Sequence, residues 1–331
     1  MFNHLSFNPL PGFSSAHLQT IATRFLNNGK PAPMQDWNAR LSDGDILYCK
    51  ISTPQSWSET TPTIALIHGL GGNHTSGYMI RFGRKLFEQG YRVLYLNLRA
   101  SCAEISKAYE NLRPYNGGNS EDVKEALLQL KNESPKSPLI LIGFSLGGNV
   151  ALKLAGELGD EKSALVDEFY AICAPLDLEL TVQILSQGFN QIYHRYYLYY
   201  LCRQSKKWQN GAAIQSLYEY DERITAPQWG YKNAKDYYQK CSSYLFIPKI
   251  KQPCHILYAQ DDPIIDYKPI QRIIVPPSVK IWISSHGGHM GFMGRENGHE
   301  EDFYWMDRML LRWLKKEPSR YQITDRQSFI N

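Results

Sequence analysis

LILIGFSLGGNVALKL, residues 139–154, sets four apolar residues before Gly143-Phe144-Ser145-Leu146-Gly147, then places Val150, Ala151 and Leu154 at helical spacing. An apolar run that enters a glycine-flanked turn and leaves as a 3.6-residue repeat predicts a buried strand, a sharp turn and a helix. A serine at the centre of a G-x-S-x-G turn of this kind stands exposed at the strand end, where a nucleophile is needed. Gly143 and Gly147 suit the turn because strand and helix approach closely with no Cβ between them. An ordinary glycine-rich turn gives the same five residues, so the reading of Ser145 rests on partners elsewhere in the chain.

The alternation extends in both directions. Upstream, residues 63–68 (TIALIH) form an apolar run followed at once by Gly69-Leu70-Gly71-Gly72, residues 78–89 read as a helix, 92–98 as a strand and 120–130 as a helix. Downstream, residues 169–174, 254–259 and 279–284 read as strands, and Met306, Met309, Leu310, Trp313 and Leu314 mark a last helix. Strands alternating with helices of this length predict right-handed βαβ units, hence an α/β fold with a mostly parallel central sheet flanked by helices. Residues 37–41 and 46–51, separated by Ser42-Asp43-Gly44-Asp45, predict a hairpin leading into that sheet. Near the start, residues 15–26 place Leu18, Ile21, Ala22, Phe25 and Leu26 on one face of a short amphipathic helix. Ser14 or Ser15 is its N-cap, with His17 and Gln19 as surface or internally satisfied polar groups.

The alternation stops at Pro175. From 177 to 244 the chain is helical in character and crowded with aromatics, among them Tyr193, Tyr196, Tyr197, Trp229 and Tyr237. Helices inserted between two sheet strands predict a lid over the carboxyl edge of the sheet, where open α/β folds bind ligands. Most of these aromatics are expected in the lid's own core and a minority against substrate. The expected division is a first core segment 1–174, a helical lid 175–247, a second core segment 248–317, and a polar tail 318–331. Aromatic and basic residues mix in the lid without a clean amphipathic stripe, which leaves room for peripheral membrane contact but not insertion.

With 331 residues, 43% of them hydrophobic and 21% charged, the chain can bury a substantial core. Its net charge of +4 is small and its basic residues are interspersed with acidic ones, which argues against a nucleic-acid groove. No segment approaches the ~18 consecutive apolar residues of a membrane helix, and the N-terminus lacks a basic region followed by an apolar core. A soluble, cytoplasmic protein is the expectation. Cys49, Cys102, Cys173, Cys202, Cys241 and Cys254 lie far apart with no C-x-x-C, which predicts reduced, mostly buried thiols.

Three chemistry-bearing groups fall at strand ends in the order Ser145, Asp262, His289. That order differs from those of the chymotrypsin and subtilisin triads. His289 would take the proton of Ser145 and return it to the leaving group, while Asp262 holds the imidazole in the useful tautomer. Asp261 is the alternative acid; Asp262 is preferred because it stands three residues before Ile265. His286 is the alternative base; His289 is preferred because Gly287, Gly288 and Gly291 surround it in a tight loop. The two histidines read as metal ligands lack further ligands at suitable spacing. The backbone N–H groups of Leu70 and Leu146 are the natural pair for an oxyanion. HGLGG as a phosphate loop lacks both the G-x-G-x-x-G spacing and a Walker lysine. No metal and no organic cofactor is implied, because nucleophile, base and oxyanion donors are all supplied by the chain.

The chain resembles the YheT-like branch of the α/β-hydrolase superfamily, a branch that includes acyl hydrolases acting on lipid esters. The resemblance is carried by Ser15-Ala16-His17-Leu18-Gln19-Thr20, His68-Gly69-Leu70-Gly71-Gly72, Gly143-Phe144-Ser145-Leu146-Gly147-Gly148-Asn149, and Thr225-Ala226-Pro227 with Tyr237-Tyr238. Ala259 through Pro263 and Gly287 through Phe292 complete it. It implies an α/β-hydrolase fold with Ser145 as nucleophile, Asp262 as acid and His289 as base. Where such relatives carry Arg-Gly and then Tyr-His, this chain has Arg99-Ala100 and Tyr115-Asn116. The expected activity is hydrolysis of a small-molecule carboxylic ester, with a medium-chain or lipid-like acyl group under the aromatic lid. Acyl transfer to an alcohol at the same site, and a non-catalytic binding protein of the same fold, are the competing readings; oligomeric state is not legible.

Overall fold

The computed structural model of the chain describes residues 2–102, 113–295 and 302–317, apart from positions 24, 27, 160, 162, 163, 210 and 212. Among these residues nine strands make one sheet. They are β1 (Phe2–Leu5), β2 (Gln35–Arg40), β3 (Ile46–Ser52), β4 (Thr63–Ile67), β5 (Arg92–Leu96), β6 (Leu139–Phe144), β7 (Glu168–Ile172), β8 (Cys254–Ala259) and β9 (Val279–Ser284). Their order across the sheet is β2-β3-β5-β4-β6-β7-β8-β9-β1. The pairs β2–β3 and β3–β5 are antiparallel and the other neighbours are parallel. The central strands read as unbroken apolar runs because both of their faces are covered. In β4 the two-residue period sends Ile64 and Leu66 into one core and Ala65 and Ile67 into the other.

Helices cover those two faces. On one, α2 (Gly77–Glu88) buries Met79, Phe82 and Leu86 beside Met306, Met309 and Leu310 of the last helix, Trp305–Leu314. Asp307 ties these two helices together, fully buried and accepting from Arg81 Nε at 2.7 Å and Lys85 Nζ at 2.9 Å. On the other face lie α3 (Ser120–Glu133) and α4 (Leu146–Leu158), which contribute Val123, Leu127, Val150 and Leu154. Asn119 caps α3, accepting from Asp122 N–H, and Glu121 and Asp122 in the first turn complement its dipole. Between β7 and β8 the chain inserts α5 (Leu178–Leu185), α6 (Gln191–Gln204), a run of short helical turns over 217–228, and α7 (Ala234–Cys241).

The elements expected from the sequence match within a few residues, with two differences. The N-terminal helix α1 spans only Ala16–Ala22, capped by Ser15, and the face it buries is polar: Gln19 and Thr20 are buried, while Phe25 is 83% exposed. The reason is its neighbour, since the Gln19 and Thr20 side of α1 packs on the backbone of a glycine-rich loop, while Ile21 packs against the core; a Cβ on Gly288 would fall 2.4 Å from the Ala16 carbonyl. Second, β1 extends the sheet by pairing with β9 at its far edge. The six cysteines are free, five of them buried and Cys202 partly so. The polar tail 318–331 lies outside the described residues.

Candidate active site

Ser145 sits between β6 and α4 with φ 51° and ψ −122°, a left-handed conformation that L-residues enter only when the surroundings enforce it. The two glycines supply that enforcement. A Cβ on Gly143 would stand 2.2 Å from the Gly147 carbonyl oxygen, and one on Gly147 would stand 2.5 Å from that of Ile67. Ser145 N–H donates to the Ile172 carbonyl at 2.7 Å, fixing the turn to β7. The hydroxyl is thus presented at the carboxyl end of the sheet.

Two loops from the following strand ends meet it. Ser145 Oγ lies 2.9 Å from His289 Nε2, and His289 Nδ1 lies 2.8 Å from Asp262 Oδ2. The consistent tautomer has Nδ1–H donating to the carboxylate and the serine hydroxyl donating to Nε2. Asp262 Oδ1 accepts from the N–H groups of Ile264 at 2.8 Å and Ile265 at 3.0 Å, so its second oxygen is left for the imidazole. Asp261 faces elsewhere: its Oδ1 accepts from Gly288 N–H at 2.9 Å, and burial raises its pKa. His286 pairs with the Ser285 hydroxyl at 3.0 Å, while the Ser145 hydroxyl pairs with His289. The structure brings together Ser145, His289 and Asp262 and leaves Asp261 and His286 outside that series.

The polar face of α1 holds this histidine loop. Gln19 donates from Nε2 to the carbonyls of Phe13 and Met293 and accepts Met293 N–H at 2.7 Å, while Thr20 Oγ1 accepts His289 N–H at 2.8 Å. Neither residue stood out from the sequence as a contributor to the site. The signal was present only as part of the S-A-H-L-Q-T resemblance, because helical patterning assigns polar residues to the solvent face.

The loop after β4 is held from behind. His68 is fully buried and neutral, its pKa lowered to about 4 by burial; Nδ1 bonds the Gly69 carbonyl at 2.8 Å and Nε2 accepts Leu98 N–H at 3.2 Å. A Cβ on Gly69 would lie 2.9 Å from Ser145 Cβ, so this loop runs directly beside the nucleophile candidate. The Leu70 N–H donates to no group among the described residues. Leu146 opens α4, where first-turn N–H groups lack partners within the helix. Ala100 takes φ 58°, a left-handed conformation that costs an L-residue roughly 1 kcal/mol.

Ser145 lies at the junction of two cavities. A narrow one of about 70 Å³ is lined by Leu146, Leu178, Val182, Leu201, Leu217 and Ile265, with Tyr115 and Asp221 also in its wall. A wider cleft of about 380 Å³ is lined by Thr20, Phe25, Gly71, Tyr193, His289 and Met290 among others. Asp221 belongs to a π-helical turn, 221–225, and accepts from Tyr238 Oη and Thr225 Oγ1 at 2.7 and 2.8 Å. It is half-buried in the wall of the narrow cavity, and burial pushes its pKa up to about 6.

The folded-state pKa of Asp221 stands above the unfolded 3.8, so its protonated form stabilises the fold at low pH. That contribution is lost as pH rises through about 6, a change on the order of 3 kcal/mol. Asp221→Asn is therefore expected to gain Tm relative to the wild type between pH 4 and pH 7 in paired thermal melts. A wild-type–variant difference constant across that range would contradict the placement of this carboxyl.

Among the described residues, Cys173, Asp262 and His289 form a cluster whose ligand atoms lie within 4.8 Å of one another. Burial and the adjacent Asp262 push the Cys173 thiol well up, keeping it protonated, while the other two groups are engaged with each other. The donor set therefore does not fit a metal, which binds thiolate.

A model of the alpha/beta hydrolase fold family matches residues 62–296. The chain is 30% identical over 321 residues to the Escherichia coli (strain K12) protein YheT, which bears an esterase name, covering 93% of this chain and 92% of that one. It is 26% identical to a monoacylglycerol lipase of Saccharomyces cerevisiae over 78% of this chain and 60% of that one. Among solved structures, the esterase Pf2001 of Pyrococcus furiosus superposes with a TM-score of 0.56 at 16% identity, covering 96% of this chain and 98% of that one, which shows a shared fold.

Proposed function

The chain belongs to the α/β-hydrolase fold family, in its YheT-like branch, and from that membership we propose that it is a serine carboxylic-ester hydrolase working through an acyl-enzyme. The observation that carries this is the hydrogen-bonded series Ser145–His289–Asp262, placed where the two cavities meet. In this reading His289 Nε2 accepts the Ser145 proton as Oγ attacks the ester carbonyl. The developing oxyanion receives the N–H groups of Leu70 and Leu146. His289 then protonates the departing alkoxide, Asp262 stabilises the imidazolium, and water enters by the same base to release the acid.

The cavities divide the substrate. The narrow apolar one fits the acyl chain and the wider, more polar cleft fits the alcohol side and later the water. The helices over 178–241 act as the lid that closes the acyl cavity, and ester-named relatives support a small-molecule acyl ester as substrate. Hydrolysis of p-nitrophenyl acetate, butyrate, octanoate and palmitate tests this. The expected result is kcat/KM greatest at butyrate or octanoate and roughly tenfold or more lower at palmitate, since each misplaced methylene costs about a kcal/mol in a cavity of fixed size. No turnover of any of the four would count against the reading.

A further inference from the structure

We propose that the face surrounding the mouth of the wider cleft docks on the surface of an anionic lipid bilayer. Along α6 the residues exposed to solvent are Gln191, Ile192, Arg195, Tyr199 and Arg203, the last four at helical spacing, and Lys206 continues that line just past its end. The opposite face of α6 carries Tyr193, His194 and Leu201 into the protein. What the sequence pattern does not resolve as an amphipathic stripe is thus an outward line of alternating large apolar and cationic side chains. Such a line fits neither a core nor an ordinary solvated face, but it fits the boundary between lipid headgroups and acyl chains.

The apolar part continues onto neighbouring elements. Phe189, 54% exposed, packs its ring 4.4 Å from that of His17 in α1, joining the start of α6 to the N-terminal segment. Phe25 and Ile192, 83% and 52% exposed, both line the cleft that reaches Ser145. Two of the exposed large apolar side chains, one aromatic and one aliphatic, therefore stand at the opening of the site, next to the outward line of α6.

Charge selects the occupant. Residues 1–35 contain Arg24 and Lys30 and no Asp or Glu; residues 180–218 contain Arg195, Arg203, Lys206 and Lys207 and again no Asp or Glu. The two segments hold more positive charge than the whole chain's net +4, so the remainder is net negative. Each basic side chain held near an anionic bilayer strengthens binding roughly fivefold, and the interspersed apolar side chains insert between headgroups. No helix among the described residues is long and apolar enough to cross a membrane, so the contact is with the surface.

Sedimentation of the full chain with vesicles tests this without reference to its reaction. The full chain is expected to pellet with phosphatidylcholine vesicles containing phosphatidylglycerol at low salt and to be released by added salt. The double variant Arg195→Glu/Arg203→Glu is expected to bind at least roughly 25-fold more weakly, and Phe189→Asp more weakly than wild type. Circular dichroism checks that each variant is folded; should either fail, Arg195→Gln/Arg203→Gln is read the same way. Equal pelleting with pure phosphatidylcholine, no pelleting at low salt, or unchanged binding by the folded variants would overturn the proposal. So would a wild-type dimer in gel filtration that Phe189→Asp converts to a monomer, which would give this face to a second copy of the chain.

Discussion

Ser145→Ala is expected to lower kcat on a p-nitrophenyl ester by roughly a million-fold while the protein keeps its fold. The hydroxyl's hydrogen-bond partner is His289, and the backbone bond from Ser145 N–H to Ile172 survives the change. The glycine contacts that force the turn are backbone contacts, so they survive too. Turnover left above water would come from the oxyanion donors and from binding, typically about 10³–10⁴-fold. A variant retaining a tenth of wild-type kcat would place the nucleophile elsewhere. Melting curves of the two proteins complete the comparison, because an equal Tm excludes loss through unfolding.

The second large effect separates two adjacent carboxylates. Asp262 gives Oδ1 to the N–H groups of Ile264 and Ile265 and Oδ2 to His289. In Asp262→Asn the amide oxygen is held by those two N–H donors, which turns the NH₂ toward Nδ1. The imidazole is then forced into the tautomer with its proton on Nε2, facing the serine hydroxyl it must deprotonate. The expected loss is roughly 10⁴-fold in kcat with little change in KM, as for a histidine locked in the wrong tautomer. Asp261→Asn keeps an oxygen for Gly288 N–H and is expected to stay within roughly tenfold of wild type. Reversed magnitudes would exchange the roles of the two residues.

Much of this arrangement is legible in the sequence, for a physical reason. Strands buried on both faces are nearly continuous apolar runs, so β4, β6 and β8 announce themselves despite Thr63 and His255, and the polar groups that end them stand out against that background. The G-x-S-x-G turn is legible because only glycine tolerates the 2.2 Å approach that position 143 would otherwise suffer. The choice between Asp261 and Asp262 has a weaker signal, since it depends on which carboxylate the following turn caps.

Elements defined by distant contacts are not legible. Gln19 and Thr20 are buried because they replace backbone partners for the loop around 288–293, some 270 residues away in the chain. Helical patterning sees only two polar residues and turns them outward. Strand β1, with the sequence FNHL, lacks a clear alternation, and its place follows from pairing Phe2 with Ile281 and Leu5 with Ser284. The outward line on α6 is hidden for a related reason. Tyrosine occurs on both of its faces, so hydrophobicity alone does not separate the side that packs from the side that faces out.

Labelling with a fluorophosphonate followed by peptide mass spectrometry is the most direct test that Ser145 is an activated nucleophile. The reagent phosphonylates a serine whose proton a neighbouring base removes and whose oxyanion has donors waiting, so it reads the whole constellation at once. The structure predicts a single adduct, on the peptide carrying Ser145, that is absent from Ser145→Ala and much slowed in Asp262→Asn. A folded wild-type protein that stays unlabelled while a control serine hydrolase reacts beside it, or an adduct on another serine, would contradict it.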